Sequence, residues 1–398
     1  MSTPVHEKLQ PAHWCAPDYG QAGLFNLIGN VRASFTGEAV PGLRIDDVEL
    51  LEQLGDNHIV LLLIDGLGSA LLQNSRTSVL KSLPQTELSS VFPSTTASAV
   101  TTVLTGLSPA QHGNVGWFMY HKPLDRIIAP LPFATRPAYT PLAGEDVTPE
   151  SVFGYGSIFD GLDCPGFSIS PQAIAFSVYN RYHCGDASIR PYTTLADIFD
   201  KAMNMLRSSK SRTFLYLYYP EVDRLAHEHG PYSRQVEACI EDLDDRLNSF
   251  LAKIAGLRAT LLITADHGFM ECTAERRILL NEHPGITELL TQPLGGEPRV
   301  AYCQVRENSH DAFEQRVDEE LCNHVTAVKS QELLDAGWFG PGPRHHQIKS
   351  RIGDYALLPA DGYVIHDSIG TEPVPELRGV HGGLSPAEMK IPLCVVAD

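Results

Sequence analysis

The sequence predicts an α/β fold, with a doubly wound, mostly parallel sheet and helices on both of its faces. Short apolar runs that do not alternate with polar residues indicate strands buried on both sides. Helical patterns separate these runs, which is typical of a parallel sheet built from crossover connections. The length of 398 residues and the hydrophobic content of 43% suit one large catalytic domain or a core with an inserted subdomain.

The predicted core strands are spread along the whole chain, and we expect them to be parallel. They are HIVLLLI (58–64), TFLYLYY (213–219), ATLLITA (259–265) and IPLCVVA (391–397). The clearest helical pattern covers residues 233–254, where apolar residues recur every three or four positions. Its apolar face consists of Val236, Ile240, Leu243, Leu247, Phe250, Leu251 and Ile254.

Two segments differ from this alternation and predict insertions. Residues 274–375 contain a strand-like run (299–305), a helical run (311–325) and a predicted hairpin (354–366), which together indicate a small inserted α/β subdomain. The segment of about 118–190 is rich in Pro, Gly and aromatic residues, and we expect loops there. The predicted catalytic core therefore comprises 1–273 and 376–398.

Composition limits the partners and the compartment. The net charge of −18 argues against binding to a nucleic-acid duplex, because no basic surplus neutralises phosphates. No apolar run is long enough to cross a membrane. Residues 1–20 show no secretory signal, and the eight cysteines form no CxxC pair, so we expect free thiols in the cytoplasm. No repeat or heptad indicates an oligomeric state.

Three aspartates and three histidines lie next to the predicted strand ends. They are Asp65, Asp223, His227, Asp266, His267 and His381. Open α/β sheets bind ligands just beyond the carboxyl ends of their strands. Asp223 and His227, four residues apart, would share one face of a helical turn. Carboxylates and imidazoles are ligands of catalytic zinc, and six exceed what one tetrahedral site takes. We therefore predict two Zn²⁺ ions, with Mn²⁺ as an alternative, clamping a displacement at phosphorus.

Each of these residues also has an ordinary structural interpretation. Asp65 alone would be read as a helix cap or turn residue, and His381 alone as a structural histidine. Asp223 and His227 alone would be a solvated helix face, and Asp266 and His267 alone would be a turn. These readings would have to hold independently at separate strand ends, so one shared metal centre is the simpler interpretation.

The segment VFPSTTASAVTTVLTG (91–106) is rich in hydroxyl groups. It contains Ser94, Thr95, Thr96, Ser98, Thr101, Thr102 and Thr105. No histidine lies next to them and no GxSxG elbow is present, so activation by a metal suits a nucleophile here better than a Ser-His-Asp triad.

These motifs, in their order along the chain, resemble those of the alkaline phosphatase superfamily. They are LIDGLG, FPSTTASAVTTVLTGLSPAQHG, YYPEVDRLAHEHGP, TADHG and GVHGG, and they look most like those of its nucleotide pyrophosphatase/phosphodiesterase branch. The resemblance implies an alkaline phosphatase-like core and a phosphothreonine intermediate formed on Thr96. It also implies two sets of zinc ligands, namely Asp65, Thr96, Asp266 and His267 for one ion and Asp223, His227 and His381 for the other.

The chain departs from the branch directly after Thr96. The branch has Phe-Pro-Asn there, whose Asn holds a phosphoryl oxygen, whereas this chain has Ala97, Ser98 and Ala99. The part of this Asn is either absent from the chain or taken by another residue, for which Ser98 and Asn114 are the candidates. Aromatic side chains near strand ends are further candidates for contact with the substrate. The predicted substrate-binding residues are thus Ser98, Asn114, Tyr182, His183 and Tyr219.

The sequence therefore predicts a metal-dependent phosphodiesterase or pyrophosphatase that acts on a small phosphorylated substrate such as a nucleotide. A phosphomonoesterase or a phosphonate hydrolase on the same metal frame is an alternative. A phosphomutase or phosphoryl transferase would pass the phosphoryl group to an alcohol instead of water. A noncatalytic metal-binding protein is the alternative outside enzymes.

Overall fold

The computed structural model describes residues 14–37 and 54–397. The prediction that the chain has no secretory signal falls largely on residues 1–13, which lie outside the described residues. The strands are β1 His58–Ile64, β2 Gln85–Ser89, β3 Met119–His121, β4 Arg126–Ala129, β5 Ala134–Thr135, β6 Gly166–Pro171, β7 Ser188–Tyr192, β8 Phe214–Tyr219, β9 Ala259–Thr264, β10 Met270–Glu271, β11 Arg277–Leu279, β12 Gly295–Glu297, β13 Val300–Cys303, β14 Val325–Lys329, β15 Tyr355–Pro359, β16 Val364–His366, β17 Gly379–Val380 and β18 Lys390–Ala397.

The α-helices lie between these strands and cover the central sheet. They are α1 Leu24–Thr36, α2 Ser69–Asn74, α3 Val79–Ser82, α4 Thr96–Thr105, α5 Pro109–His112, α6 Pro149–Val152, α7 Val178–Cys184, α8 Leu195–Ser208, α9 Glu221–His229, α10 Arg234–Ile254, α11 Pro284–Thr287, α12 His310–Leu321, α13 Ser330–Asp335, α14 Ile348–Ile352 and α15 Pro386–Met389. The predicted helix at 233–254 is α10, and the side chain of Ser233 caps it by accepting a hydrogen bond from the Val236 N–H.

The predicted α/β fold is confirmed by the seven-stranded central sheet, whose order is β2-β18-β9-β1-β8-β6-β7. β1 lies in the middle and pairs in parallel with β8 on one side and β9 on the other. The side chains of these three strands are buried almost throughout. Burial on both faces explains why these runs are continuously apolar in the sequence.

The prediction that the last core strand is parallel is wrong, because β18 runs antiparallel to both β9 and β2. A strand buried on both faces is equally apolar in either direction, so its sequence pattern does not reveal its direction. The reversal has a consequence for function. The amino end of β18 lies at the edge where β1, β8 and β9 have their carboxyl ends, so the segment before it, with His381, reaches that edge.

The segment 118–190 contains more regular structure than the predicted loops. Strands β3 to β5 form a small antiparallel sheet. β6 and β7 extend the central sheet in parallel beside β8. β7 is the edge strand, alternates between exposed and partly buried residues, and contains Pro191. Such a strand carries a weak apolar signal, because edge positions tolerate proline and polar residues.

The region from 274 to 375 has its own antiparallel sheet, of order β12-β13-β15-β14. The predicted strand at 299–305 and helix at 311–325 appear as β13 and α12. The predicted hairpin at 354–366 is wrong, because β15 pairs with β13 and β14 while β16 pairs in parallel with β11. The chain reverses after β15, but partners distant in sequence occupy both of its edges. The domain boundaries stay a prediction.

All eight cysteines are free thiols, as the sequence predicts, and four of them are buried. Among the residues that the structure describes, no helix has the length and apolar character needed to span a membrane.

Candidate active site

Helix α4 places one hydroxyl at its exposed start. The helix begins at Thr96, after Thr95 in extended conformation, and ends before Gly106, whose φ of 70° is favoured by glycine. Between residues 91 and 105, Thr96 is the only residue that is not buried. The backbone N–H groups of Thr96 and Ala97 have no acceptor within the described part of the chain. They are therefore free to bind an anion at the helix N-terminus.

The other hydroxyl groups of this segment have structural partners. Ser94, Ser98 and Thr105 donate to the backbone carbonyls of Gly383, Asn114 and Thr101, respectively. The Thr101 hydroxyl contacts the Ala97 carbonyl and the Tyr179 hydroxyl, and the Thr102 hydroxyl contacts His112. Thr96 instead places its Oγ1 3.1 Å from Nε2 of His267, at the carboxyl edge of the central sheet.

At that edge the structure brings together the six aspartates and histidines that are predicted to bind metal. They form two adjacent groups: Asp65, Asp266 and His267, which follow β1 and β9, and Asp223, His227 and His381, from α9 and the segment before β18. Within each group the ligand atoms lie within 4.8 Å of one another. The groups meet where Asp223 Oδ1 lies 3.9 Å from Nε2 of His267. Their assignment as metal ligands stays a prediction.

Backbone carbonyls orient two of the imidazoles. His227 donates from Nδ1 to the Gly379 carbonyl at 2.8 Å, and His267 donates from Nδ1 to the Gly268 carbonyl at 3.1 Å. Since a carbonyl can only accept, Nδ1 of each ring carries a proton, and in the neutral ring the lone pair lies on Nε2. The Nε2 of His227 lies 3.1 Å from the Nε2 of His381. Hydrogen bonds of this kind fix the tautomer of metal-binding histidines.

The aspartates at this edge leave one oxygen each without a donor. Tyr218 donates its hydroxyl to Oδ2 of Asp65, and the N–H groups of Gly66 and His267 donate to Oδ1 of Asp266. Within the described residues, the buried atoms Asp65 Oδ1, Asp223 Oδ1 and Asp266 Oδ2 accept no hydrogen bond. Because unpartnered buried carboxylate oxygens are costly, this donor set fits divalent cations.

The pKa values show how strongly these groups interact. Burial raises the pKa of Asp65 and Asp266 well above the usual range, and the charges of Asp223 and Asp65, respectively, add to this effect. Burial alone would lower the pKa of His227, but the Asp223 carboxylate raises it to about 9. Burial and the two other imidazoles hold the pKa of His381 well below its usual range. A bound cation would relieve the repulsion among the carboxylates.

A cavity of about 580 Å³ opens onto Thr96, Asp223, His227 and His381. The inserted segments build its outer wall, to which Trp117, Phe118 and Tyr139 contribute aromatic surface. Arg136 also lines the wall. Its guanidinium lies 2.8 Å from a carboxylate oxygen of Glu372 and 2.7 Å from one of Asp367, and 4.4 Å from the Phe118 ring centre.

The structure places the five predicted substrate-binding residues outside this cavity, which corrects the expectation for Ser98 and Asn114. Two positions along an α-helix rotate a side chain by about 200°, so Ser98 faces the core while Thr96 faces the cavity. The Ser98 hydroxyl donates to the Asn114 carbonyl, and the side-chain amide of Asn114 donates to Thr101. Both side chains are fully buried.

The aromatic candidates likewise have other partners. Tyr182 donates its hydroxyl to Glu150, and His183 is buried against Phe153 with ring centres 4.7 Å apart. Tyr219 is buried, and its hydroxyl contacts the Cys239 thiol. Neighbouring strand residues face opposite sides, which is why Tyr218 reaches Asp65 while Tyr219 does not.

Sequence reasoning missed the residues of the cavity wall, namely Trp117, Phe118, Arg136, Tyr139, Glu297, Asp367 and Glu372. The Gly-Gly pair before Glu297 is the one local signal, because adjacent glycines indicate a close approach of the backbone.

Comparison with known proteins shows what the chain is similar to. The chain resembles bis(5'-adenosyl)-triphosphatase ENPP4 of Bos taurus, with 24% identity over 159 residues, which are 38% of this chain and 32% of that protein. The match thus spans about a third of the curated relative. Two solved structures share the fold. They are murine ectonucleotide pyrophosphatase/phosphodiesterase 5 (TM-score 0.63, 18% identity, 84% of this chain and 87% of the other) and phosphonoacetate hydrolase from Sinorhizobium meliloti 1021 with phosphonoformate (0.61, 16%, 85% and 90%).

The model of one protein family matches residues 59–384. This match spans the strands that carry the metal-binding candidates, both inserted segments and His381. The chain therefore belongs to the type I phosphodiesterase/nucleotide pyrophosphatase family.

Proposed function

We propose that this protein is a two-zinc hydrolase of phosphoric esters or anhydrides that forms a phosphothreonine intermediate on Thr96. The observation that carries the proposal is the place of the Thr96 hydroxyl. It is the only accessible hydroxyl of its segment, it starts a helix, and it lies 3.1 Å from His267 among the carboxylates that lack donors.

Asp65, Asp266 and His267, with Thr96, would hold one zinc ion. Asp223, His227 and His381 would hold the other. Bound zinc would neutralise developing charge and lower the pKa of a hydroxyl group or a water molecule.

The residues of the chain then have separate tasks. The free N–H groups of Thr96 and Ala97 bind a phosphoryl oxygen at the start of α4. Thr96 Oγ1 forms a bond to phosphorus as the bond to the leaving oxygen breaks, and the hydroxyl proton goes to solvent. Water then cleaves the phosphothreonine and restores the hydroxyl, so the net reaction is hydrolysis.

The substrate class follows from the cavity and from the relatives. The aromatic wall of Trp117, Phe118 and Tyr139 offers apolar surface for an organic group such as a nucleobase. An inactive threonine-to-alanine variant of murine ectonucleotide pyrophosphatase/phosphodiesterase 5 has been solved with AMP. Both points favour a nucleotide-like substrate. The shared fold of phosphonoacetate hydrolase makes a phosphonate the second candidate.

The test is a panel of monoesters, diesters, dinucleotides and phosphonoacetate, assayed with the zinc-loaded and the metal-free protein. We expect zinc-dependent hydrolysis, with diesters or dinucleotides as the best substrates, and close to two zinc ions per active chain. Well below one ion per active chain would contradict the two-metal proposal. Phosphoryl transfer to an added alcohol, without release of free phosphate, would indicate a phosphomutase or transferase instead.

A further inference from the structure

Glu297 is a carboxyl group in the cavity that neither the metal cluster nor an ion pair uses. It ends β12, and the inserted sheet thereby reaches the start of α4. Gly116 and Gly296 make this approach close: a Cβ on Gly116 would lie 2.6 Å from the Gly296 Cα. Gly296 has a φ of +85°, which favours glycine.

The contacts of Glu297 leave one of its oxygens for a ligand. Oε1 accepts hydrogen bonds from the Thr95 hydroxyl at 2.6 Å and from the Trp117 N–H at 2.7 Å. Oε2 has no hydrogen-bond partner within the described residues, although the side chain is only 8% exposed and lines the cavity. The carboxyl group is therefore fixed by the residue that directly precedes Thr96, and it lines the same cavity as Thr96.

No lysine or unpaired arginine among the cavity-lining residues compensates for Glu297. Arg136 is the one arginine of the wall, and Glu372 and Asp367 hold it. The remaining titratable groups that line the cavity are Tyr139, His366 and the three residues Asp223, His227 and His381, which belong to the metal cluster. Burial raises the pKa of Glu297 to about 7, against the effect of its two donors. Above neutral pH the group therefore carries a negative charge that no wall residue pairs with.

We propose that Glu297 is a specificity-determining residue that selects phosphodiesters and internal phosphoanhydrides over phosphomonoesters. This inference rests on the proposed function. A phosphoryl group esterified twice carries one negative charge, whereas a monoester carries close to two above pH 7, since its second pKa is about 6. A carboxylate fixed in the same cavity as Thr96 repels the second charge. Specificity of this kind comes from a repulsive element directed against the wrong substrate.

The same contact bears on the Asn side chain that the nucleotide pyrophosphatase/phosphodiesterase branch has shortly after its nucleophile and that this chain lacks. The positions after Thr96 are Ala97, Ser98 and Ala99, and neither Ser98 nor Asn114 reaches the cavity. Among the polar side chains of the wall, Glu297 is hydrogen-bonded to the residue directly before Thr96, and it is an acid rather than an amide.

The experiment measures Glu297→Gln against the wild type with 4-nitrophenyl phosphate and bis(4-nitrophenyl) phosphate, both zinc-loaded at pH 8. Gln keeps an oxygen for the Thr95 and Trp117 donors and removes the charge. We expect kcat/KM for the monoester to rise at least about 10-fold and that for the diester to change less than about 3-fold, as removal of one close like charge predicts. Competitive inhibition by inorganic phosphate should strengthen in parallel.

Three controls separate this effect from others. Glu297→Asp retains the charge and should retain the preference for the diester. Glu307→Gln removes an exposed charge that does not line the cavity and should leave the activity towards both substrates unchanged. Zinc content should be equal in all variants. If Glu297→Gln does not fold, Glu297→Ala, which also removes the charge, takes its place.

The outcomes distinguish the inference from the function on which it rests. An unchanged ratio of diester to monoester activity in folded, zinc-loaded Glu297→Gln, with unchanged inhibition by phosphate, overturns the role of Glu297 and leaves the hydrolase intact. A wild type that hydrolyses neither substrate nor any member of the panel overturns the proposed function itself.

Discussion

The carboxyl edge of the central sheet and the cavity wall differ in how their charged side chains are paired. At the edge, three aspartates and three histidines of the core converge, and three buried carboxylate oxygens receive no hydrogen bond from any described residue. In the wall, which the inserted segments build, Arg136 is held by Asp367 and Glu372 through contacts of 2.7 and 2.8 Å. The edge offers unpartnered carboxylate oxygens that cations would satisfy, whereas the wall pairs its one arginine with two of its own carboxylates.

This difference indicates that the edge would provide the reacting groups, whereas the wall determines the shape of the cavity. Burial and neighbouring carboxylates raise the pKa of Asp65 and Asp266, so their arrangement costs free energy in the absence of a cation. A paired wall has no such cost and fixes the position of its aromatic side chains. Glu297 is the exception in the wall, because its charge is not paired. Changes at the edge should therefore affect turnover and metal binding, and changes in the wall should affect stability and selectivity.

The largest expected effect is on turnover, from Thr96→Ala. Loss of the nucleophilic oxygen should lower kcat/KM for the best phosphoester at least about 1,000-fold, as removal of a nucleophile does in other covalent mechanisms. Zinc content should remain above one ion per chain, because the aspartates and histidines persist. Mass spectrometry of acid-quenched wild type during turnover should detect phosphothreonine at this position. The matched control is Thr105→Val, which removes a buried hydroxyl of the same helix bonded to the Thr101 carbonyl. Near-full turnover of zinc-loaded Thr96→Ala would rule out the covalent mechanism.

The next effect is on stability, from Arg136→Met in the wall. The Arg136 side chain is only 5% exposed, so its removal leaves two carboxylates near each other without a cation. We expect the free energy of unfolding to fall by about 3 kcal/mol, the usual cost of breaking a buried ion pair. Denaturant titration measures it, and zinc binding should not change.

The control for this variant is Arg224→Met, whose side chain is 56% exposed and pairs with Glu221 and Glu228 on the surface. Its loss should cost at most about 1 kcal/mol. Equal costs for the two variants would show that the wall is not stabilised by its ion pairs, and the contrast between edge and wall would then fail.

At the edge, Asp65→Asn should affect stability in opposite directions with and without metal. In the metal-free protein at pH 8 it removes one of the mutually repelling buried charges, so the free energy of unfolding should rise by about 1 kcal/mol. Asn retains an acceptor for the Tyr218 hydroxyl. In the wild type, free zinc at 100 times its Kd should add about 2.7 kcal/mol, and the variant should lose most of this gain. Thermal denaturation with and without zinc tests both, with the exposed Asp245→Asn on α10 as control. A metal-free variant less stable than the wild type would mean that the carboxylates do not repel each other.

The contrast between edge and wall also explains which parts of the site can be predicted from the sequence. The edge is predictable because its ligands follow apolar runs such as 58–64 and 259–265, and strands of an α/β sheet share one carboxyl edge. For the four predicted core strands, the one error was the direction of the last strand. The wall depends on contacts between distant residues, such as Arg136 with Glu372, which are 236 positions apart, and Thr95 with Glu297, which are 202 apart. No local periodicity encodes such pairs. The substrate contacts were therefore predicted at residues whose side chains, because of their place along a helix or strand, point away from the cavity.

The last expected effect concerns Glu297 and the pH dependence of the free energy of unfolding. Its pKa is about 7 in the folded protein against 4.5 for an unperturbed side chain. A raised pKa means that the folded state holds the proton more tightly, so this group stabilises the fold fully below pH 4.5 and loses that contribution as pH rises through 7. Glu297→Gln does not titrate. The free energy of unfolding of the metal-free variant, relative to the wild type, should therefore rise by about 2 kcal/mol between pH 5 and pH 8, since each pKa unit corresponds to about 1.4 kcal/mol and solvent in the cavity reduces the total. Urea titrations of the two proteins at both pH values measure this difference, and Glu307→Gln should show no change relative to wild type. A difference that is independent of pH would mean that Glu297 is ionised at pH 5 in the folded state, and its charge would then act on substrates over the whole range in which the enzyme is assayed.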